Sequence, residues 1–311
     1  MRALLGLLAL LAAAPALAQP YPTRPPGVIV NFPPGGVTDL VGRALAAAMA
    51  APLGQPLVVQ NRGGAGGAIG AGAIAAAPHD GYTLGFIATA ALTTLPHMRS
   101  QPYGAESFDY LCQTFDVPVY LLVAPGSRFR SAAELVAEAK ARPGALNYAT
   151  VGPGSLPHLA ALDFAAQAGV ALTHIPYQGE APAVTDLVAG RVDVYFGTSS
   201  VATIHELRRL GVAAPARLAE SPATPTLTEQ GWPVVWSVLG GLIAPRGVDA
   251  AIRARLEQAC AAAVQAPAYR QALEQLRVGW AHAGGEGFRA MILAESAKNR
   301  RLLQSSNLAV E

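Results

Sequence analysis

Apolar and polar positions along this chain alternate between two periods, short strand-like runs and longer helical stretches. Residues 28–31, 57–59 and 82–87 are short apolar runs of strand length. Between them, residues 38–50 repeat apolar positions at helical spacing and stop at Pro52 and Gly54. A glycine-rich loop at 61–67 leads into a helix of small residues that runs to Ala77, and Asp80-Gly81 turns the chain into the next run. The β-α-β-α-β order predicts a parallel sheet covered by helices, an α/β class.

A second unit repeats this order. Residues 119–124 form a strand. Ser131 and Glu134 make a capping-box pattern for a helix to Ala141, which Pro143-Gly144 stops. Strands are expected at 147–150 and 173–177, and helices at 156–168 and 182–189, the latter closed by Gly190. Val192, Val194 and Phe196 alternate with polar neighbours, as a strand does. Thr226 and Glu229 repeat the capping-box spacing. Residues 236–244 are apolar and glycine-containing. The tail reads as helices at 248–264, 268–276 and 286–304, with a short strand at 278–280. It holds no β-α unit sufficient for a third domain and is expected to pack on the first lobe. The chain crossings near 119–124 and 236–244 are the hinge candidates.

The N-terminus changes the picture of where the protein works. Met1-Arg2 is followed by an apolar run to Ala14 and by the small-residue pattern Ala16-Leu17-Ala18. That is a secretory signal, cleaved after Ala18, because the run is shorter than the roughly 20 residues of a membrane span. The chain has 311 residues, is 52% hydrophobic and 14% charged, and so can bury a substantial core in two domains. A net charge of +2 does not point to nucleic acid. Cys112 lies in a strand-like stretch and Cys260 on an apolar helix. Both read chiefly as buried small hydrophobes, pairing being open to them after export only if their Cα atoms come close.

Two turns carry the candidate chemistry. Asn31-Phe32-Pro33-Pro34-Gly35-Gly36-Val37-Thr38-Asp39 and Val151-Gly152-Pro153-Gly154-Ser155 each follow a strand and open a helix. Such turns aim free N–H groups and a positive helix end at one point, which suits an anion. Each is equally compatible with an ordinary capped turn, with Thr38 or Ser155 as the capping residue. Asp39 can cap or orient. His158 follows the second turn closely. No other motif claims the chain. Gly64-Ala65-Gly66-Gly67-Ala68-Ile69 lacks the third glycine of a dinucleotide fingerprint, and there is no phosphate-binding P-loop, no nucleophile elbow and no zinc-ligand spacing. No nucleophile, base and orienter come together, which favours a binding protein over an enzyme.

At these residues the chain resembles the Bug-type receptors, the extracytoplasmic substrate-binding components of tripartite tricarboxylate transporters. The resemblance rests on Tyr21-Pro22-Thr23-Arg24-Pro25, residues 32–39, Leu53-Gly54-Gln55-Pro56, residues 61–67 and Asp80-Gly81-Tyr82-Thr83-Leu84. It continues through residues 152–159, His174-Ile175-Pro176-Tyr177-Gln178-Gly179, Gly190-Arg191-Val192-Asp193, residues 225–231 and Ala244-Pro245. Gly197 and Leu95-Pro96 depart from the family pattern, and the stretch at 204–218 is short.

The resemblance implies a two-lobed periplasmic-binding-protein fold, type II-like, hinged at two crossing segments. Lobe 1 would be 19–120 plus 240–311, and lobe 2 would be 121–239. It implies binding loops at 32–39, 87–91, 152–158 and around Gly197-Thr198-Ser199. The expected ligand-binding residues are Phe32, Gly35, Gly36, Thr38, Asp39, Thr89, Ala90, Gly152, Gly154, Ser155, His158, Tyr177 and Thr198. The expected function is a monomeric periplasmic receptor without cofactor or metal, which captures a small carboxylate and hands it to membrane subunits of a transporter. Delivery to a periplasmic sensor is the alternative, and a hydrolase on the same scaffold would need a catalytic constellation that is not visible.

Overall fold

A computed structural model describes residues 21–305, so the signal segment and its cleavage site lie outside the described residues. The first half of the chain forms β1 (Gly27–Val30), α1 (Val37–Leu53), β2 (Val58–Asn61), α2 (Ala68–Ala75) and β3 (Thr83–Ala88). Two short helices, α3 (Ala90–Thr93) and α4 (Leu95–Met98), precede the long strand β4 (Phe108–Pro118). The second half opens with β5 (Tyr120–Val123), α5 (Ala132–Ala141), β6 (Asn147–Thr150), α6 (Leu156–Ala168) and β7 (Thr173–Pro176). It continues with α7 (Glu180–Val188), β8 (Val194–Gly197), α8 (Ser199–Ile204) and β9 (Arg208–Val212). The chain then returns through β10 (Ser237–Pro245) to α9 (Ala250–Gln265), α10 (Pro267–Leu276), β11 (Trp280–Gly284) and α11 (Gly285–Ser305).

Two sheets result. The first runs β11-β4-β10-β3-β1-β2 and the second β7-β6-β8-β5-β9. Both are mixed, which corrects the all-parallel expectation. β1 pairs parallel with β2 and β3, but β10 pairs antiparallel with β3 and β4. In the second sheet β6 pairs parallel with β7 and β8, and β5 runs antiparallel to β8 and β9. Antiparallel β5 and β10 lie where the chain passes between the sheets, while antiparallel β11 belongs to the tail at the edge of the first sheet. The passage from β4 to β5 takes a single residue, Val119, and the return enters the first sheet at Ser237.

The sequence explains most of these elements locally. α1 buries Val41, Leu45, Met49 and Leu53, spaced four apart on one face, against β1 and β3. Each such side chain contributes about 1.5–3 kcal/mol by leaving water. Gly54 ends the helix in the left-handed region at φ 82°. α5 starts as expected, with Ser131 Oγ accepting from the Glu134 N–H and Glu134 accepting from the Arg130 N–H. The Thr226–Glu229 pattern also closes its two reciprocal hydrogen bonds, yet the segment is a turn and no helix follows. Gly231 at φ 94° and Pro233 break the chain there before a helical turn can propagate.

The tail packs on the first sheet, with α9 against α1 and β4, and α11 against β4 and α3. Cys112 on β4 and Cys260 on α9 form a disulfide, with Cα atoms 6.6 Å apart. This corrects the reading of both as unpaired core residues. They are fully buried, as that reading required, but α9 lies directly on β4 and brings the sulfurs together. In β10, Gly241 passes so close to Cys112 that a Cβ would collide with its backbone oxygen, which explains a glycine in a buried strand.

Candidate functional site

The two turns seen in the sequence face each other across one cavity of about 80 Å³. Phe32, Pro33, Pro34, Gly36, Val37 and Thr38 line it from the first turn and α1, and Val151, Ser155, Leu156 and Pro157 from the second turn and α6. Ala88, Ala90 and Val238 close it from the first sheet. Gln178, Gly179, Glu180, Ala181, Pro182 and Thr198 close it from the second. The volume is below the roughly 300–1,000 Å³ of a typical ligand site.

The sides are in contact around this cavity. Glu180 Oε2 accepts from the Val37 N–H at 3.2 Å. A Cβ on Gly154 would lie 2.6 Å from Leu95 Cδ2 and from the Met98 sulfur, so any other residue there would push these side-chain ends of α4 aside. At φ 74° its backbone is also one that glycine adopts freely. Trp236 Nε1 donates to Asp163 at 2.7 Å, and the Lys298 ammonium lies 3.8 Å from the Trp236 ring centroid.

Of the expected ligand-binding residues, Phe32, Gly36, Thr38, Ala90, Ser155 and Thr198 line the cavity. The others surround it in different roles. Gly35 donates its N–H to Asp39 Oδ2 at 3.0 Å. Asp39 also accepts from Arg43 and Asn61, at 2.9 and 2.8 Å. Burial opposes its ionisation, but these hydrogen bonds outweigh burial and hold its carboxyl below the usual range. Asp39 therefore pins the first turn from behind.

The second turn is pinned in the same way. Ser155 Oγ donates to the Gly152 carbonyl at 2.8 Å and accepts from the His158 N–H. Gly154 N–H donates to His158 Nδ1 at 3.1 Å. His158 is 5% exposed and stacks on His174 with ring centroids 4.1 Å apart, and Tyr148 stacks on His174 at 4.9 Å. Burial, with the neighbouring His174, pushes the His158 pKa down to about 3, and burial pushes that of His174 to about 4. The stack is therefore neutral at neutral pH, which leaves Nδ1 free to accept from Gly154.

Thr89 and Tyr177 also turn away from the cavity. Thr89 is fully buried and donates to Glu295 Oε2 at 3.1 Å. Tyr177 donates to Asp186 at 2.6 Å, which Arg191 also engages.

These internal bonds determine which donors remain for a ligand. The Thr38 hydroxyl and the backbone N–H groups of Gly36, Thr38 and Leu156 have no hydrogen-bond partner among the described residues. They lie at the first turns of α1 and α6, where the helix dipoles favour negative charge. Sequence reasoning missed Glu180, whose carboxyl enters the cavity from the start of α7. Its only signal was its place directly after Gly179, the last residue of a family-like stretch. Among the described residues no cluster of His, Cys, Asp or Glu could hold a metal ion, and no helix is long and apolar enough to cross a membrane.

Comparison with known proteins bears on the family and the fold. Residues 41–308 match the family model described as the tripartite tricarboxylate transporter family receptor. The chain is 39% identical to the protein BugT of Bordetella pertussis over 268 residues, covering 84% of this chain and 82% of BugT. Among solved structures, an R. palustris protein with adipate superposes with TM-score 0.89 at 28% identity, covering 94% of this chain and all of that one. MatC from Rhodopseudomonas palustris with bound malate gives TM-score 0.84 at 28% identity, covering 91% and 100%. The chain thus belongs to the tripartite tricarboxylate transporter receptor family, as a two-lobed solute-binding protein of the Bug type.

Proposed function

We propose that this protein is a periplasmic receptor that captures a small organic acid in the cleft between its two lobes and presents it to the membrane subunits of a tripartite tricarboxylate-type transporter. The observation that carries this reading is the convergence of two helix N-termini, from α1 and α6, on one cavity with unpaired donors. A carboxylate would take the Thr38 hydroxyl and the N–H groups of Gly36 and Thr38 from one lobe, and the Leu156 N–H from the other. Among the described residues no Lys, Arg or His side chain lines the cavity, so helix ends and neutral donors supply the attraction. A ligand touching both turns favours the closed arrangement because it binds that arrangement better. The adipate and malate found in structural relatives support a carboxylate as the ligand class.

Calorimetry and thermal-shift measurements with a panel of small mono- and dicarboxylic acids, amino acids and acid amides test this reading. A true ligand at a hundred times its Kd raises stability by about 2.7 kcal/mol. If no member of the panel raises the melting temperature, the carboxylate reading is wrong.

A further inference from the structure

Among the described residues that line the cavity, Glu180 is the one acidic or basic side chain, and its ionised form has the same sign as the expected ligand. It starts α7 in the second lobe and reaches across the cleft to α1. Its Oε2 takes the Val37 N–H at 3.2 Å, and its Oε1 takes the Thr198 hydroxyl at 3.2 Å. Gly36 makes room for it, since a Cβ there would lie 3.2 Å from the same Oε2. One of the exposed N–H groups of α1 is therefore already neutralised by the protein's own carboxyl.

The cavity is divided as a result. One part offers donors: the Thr38 hydroxyl, on a side chain only 4% exposed and without a hydrogen bond in the structure, together with the free N–H groups of Thr38 and Leu156. The other part offers the Glu180 carboxyl, which takes the Val37 N–H and the Thr198 hydroxyl at 3.2 Å each and also interacts with the buried Tyr195 hydroxyl, leaving part of a carboxylate's roughly four acceptor sites open. An acid with a second carboxylate would satisfy the donors but set like charges together, with no cation among the lining residues. An acid that also carries N–H donors satisfies both parts. We infer that Glu180 is the specificity-determining residue of this cleft, selecting a carboxylic acid that bears an ammonium or carboxamide group over the corresponding diacid.

Burial, the leading effect, pushes the Glu180 carboxyl up, against the lowering hydrogen bonds from Val37, Thr198 and Tyr195. The site as it stands thus disfavours the bare charge that an opposing ammonium or amide would stabilise.

The inference rests on the receptor reading above, and its test separates the two. Affinities of glutarate, its monoamide and 5-aminopentanoate, matched in length, are measured by calorimetry on the wild type, Glu180→Gln and Glu180→Asp. The wild type is expected to bind at least one N–H-bearing acid ten-fold or more tighter than glutarate. Glu180→Gln should tighten glutarate ten-fold or more and weaken 5-aminopentanoate by a similar factor, whereas Glu180→Asp keeps the wild-type order. A wild-type preference for glutarate, or an unchanged ratio in Glu180→Gln, overturns the inference and leaves the receptor reading standing. Should Glu180→Gln fail to fold, the orders in the wild type and Glu180→Asp decide alone. If neither these acids nor any in the wider panel binds the wild type, the receptor reading falls and the inference with it.

Discussion

Opening the Cys112–Cys260 disulfide is a direct test of how this chain is held together. The bond joins β4 to α9 across 148 residues of sequence, and both cysteines are fully buried. Closing a loop of that length lowers the entropy of the unfolded chain by an amount worth about 5 kcal/mol in the chain-entropy account. Replacing both cysteines by alanine adds a smaller packing loss, because only the sulfur atoms leave the core. At about 2 °C per kcal/mol for a chain of this size, the reduced protein is expected to melt roughly 10 °C below the oxidised one. The assay compares calorimetric melts of the wild type and of Cys112→Ala/Cys260→Ala, each with and without a reductant. Thiol titration of the unfolded wild type establishes the redox state. The double variant should melt near the reduced wild type and be insensitive to reductant. A fully reduced wild type that melts within 2 °C of the oxidised form would refute the loop-closure argument.

Further predictions concern the neighbourhood of the cleft. Glu295 accepts from Thr89 and Thr93, and burial raises its pKa to about 7 against the lowering effects of Thr89, Asn299, Lys298 and Thr93. The folded state then holds its proton more firmly than the unfolded state, so a contribution present below about pH 4.5 is lost as pH rises through about 7. Glu295→Gln should remove at most about 3 kcal/mol of this dependence, and its melting temperature should gain on the wild type between pH 5 and pH 8. Thr38→Val removes the free hydroxyl at nearly constant shape and should weaken ligand binding ten- to a hundred-fold in calorimetry, since a hydrogen bond to a charged group contributes about 1.5–3 kcal/mol. Gly154→Ala places a methyl against Leu95 and Met98 and strains a left-handed backbone by about 1–2 kcal/mol. It should cost several degrees of melting temperature and a further loss of ligand affinity, and unchanged affinity would show that this contact does not govern closure.

Much of the architecture was legible in the order of residues. Strand β6 and helix α6 occupy the expected spans, and the cap of α5 forms as the Ser131 and Glu134 spacing requires. These are local outcomes, decided by periodicity, capping chemistry and glycine or proline stops within a few residues. The strand β4 was visible only as a strand-like stretch around Cys112, because its length is set by pairing with β10 and β11, which lie far along the chain. Thr226 to Glu229 shows the converse: the local hydrogen bonds form, and the surrounding chain does not extend them into a helix.

For the site, the sequence by itself determined that two turns opening two helices would carry spare N–H groups. It did not determine which of those groups remain spare. That was decided when Asp39 took the Gly35 N–H, His158 took that of Gly154 and Glu180 took that of Val37. The first two bonds are four residues long and could in principle be guessed. The third spans 143 residues and exists only because the two sheets bring α7 onto the end of α1. The disulfide has the same origin, with α9 laid on β4. Local spacing specifies which groups are available, whereas pairing between distant groups depends on the packing of whole elements, which no short stretch of sequence encodes.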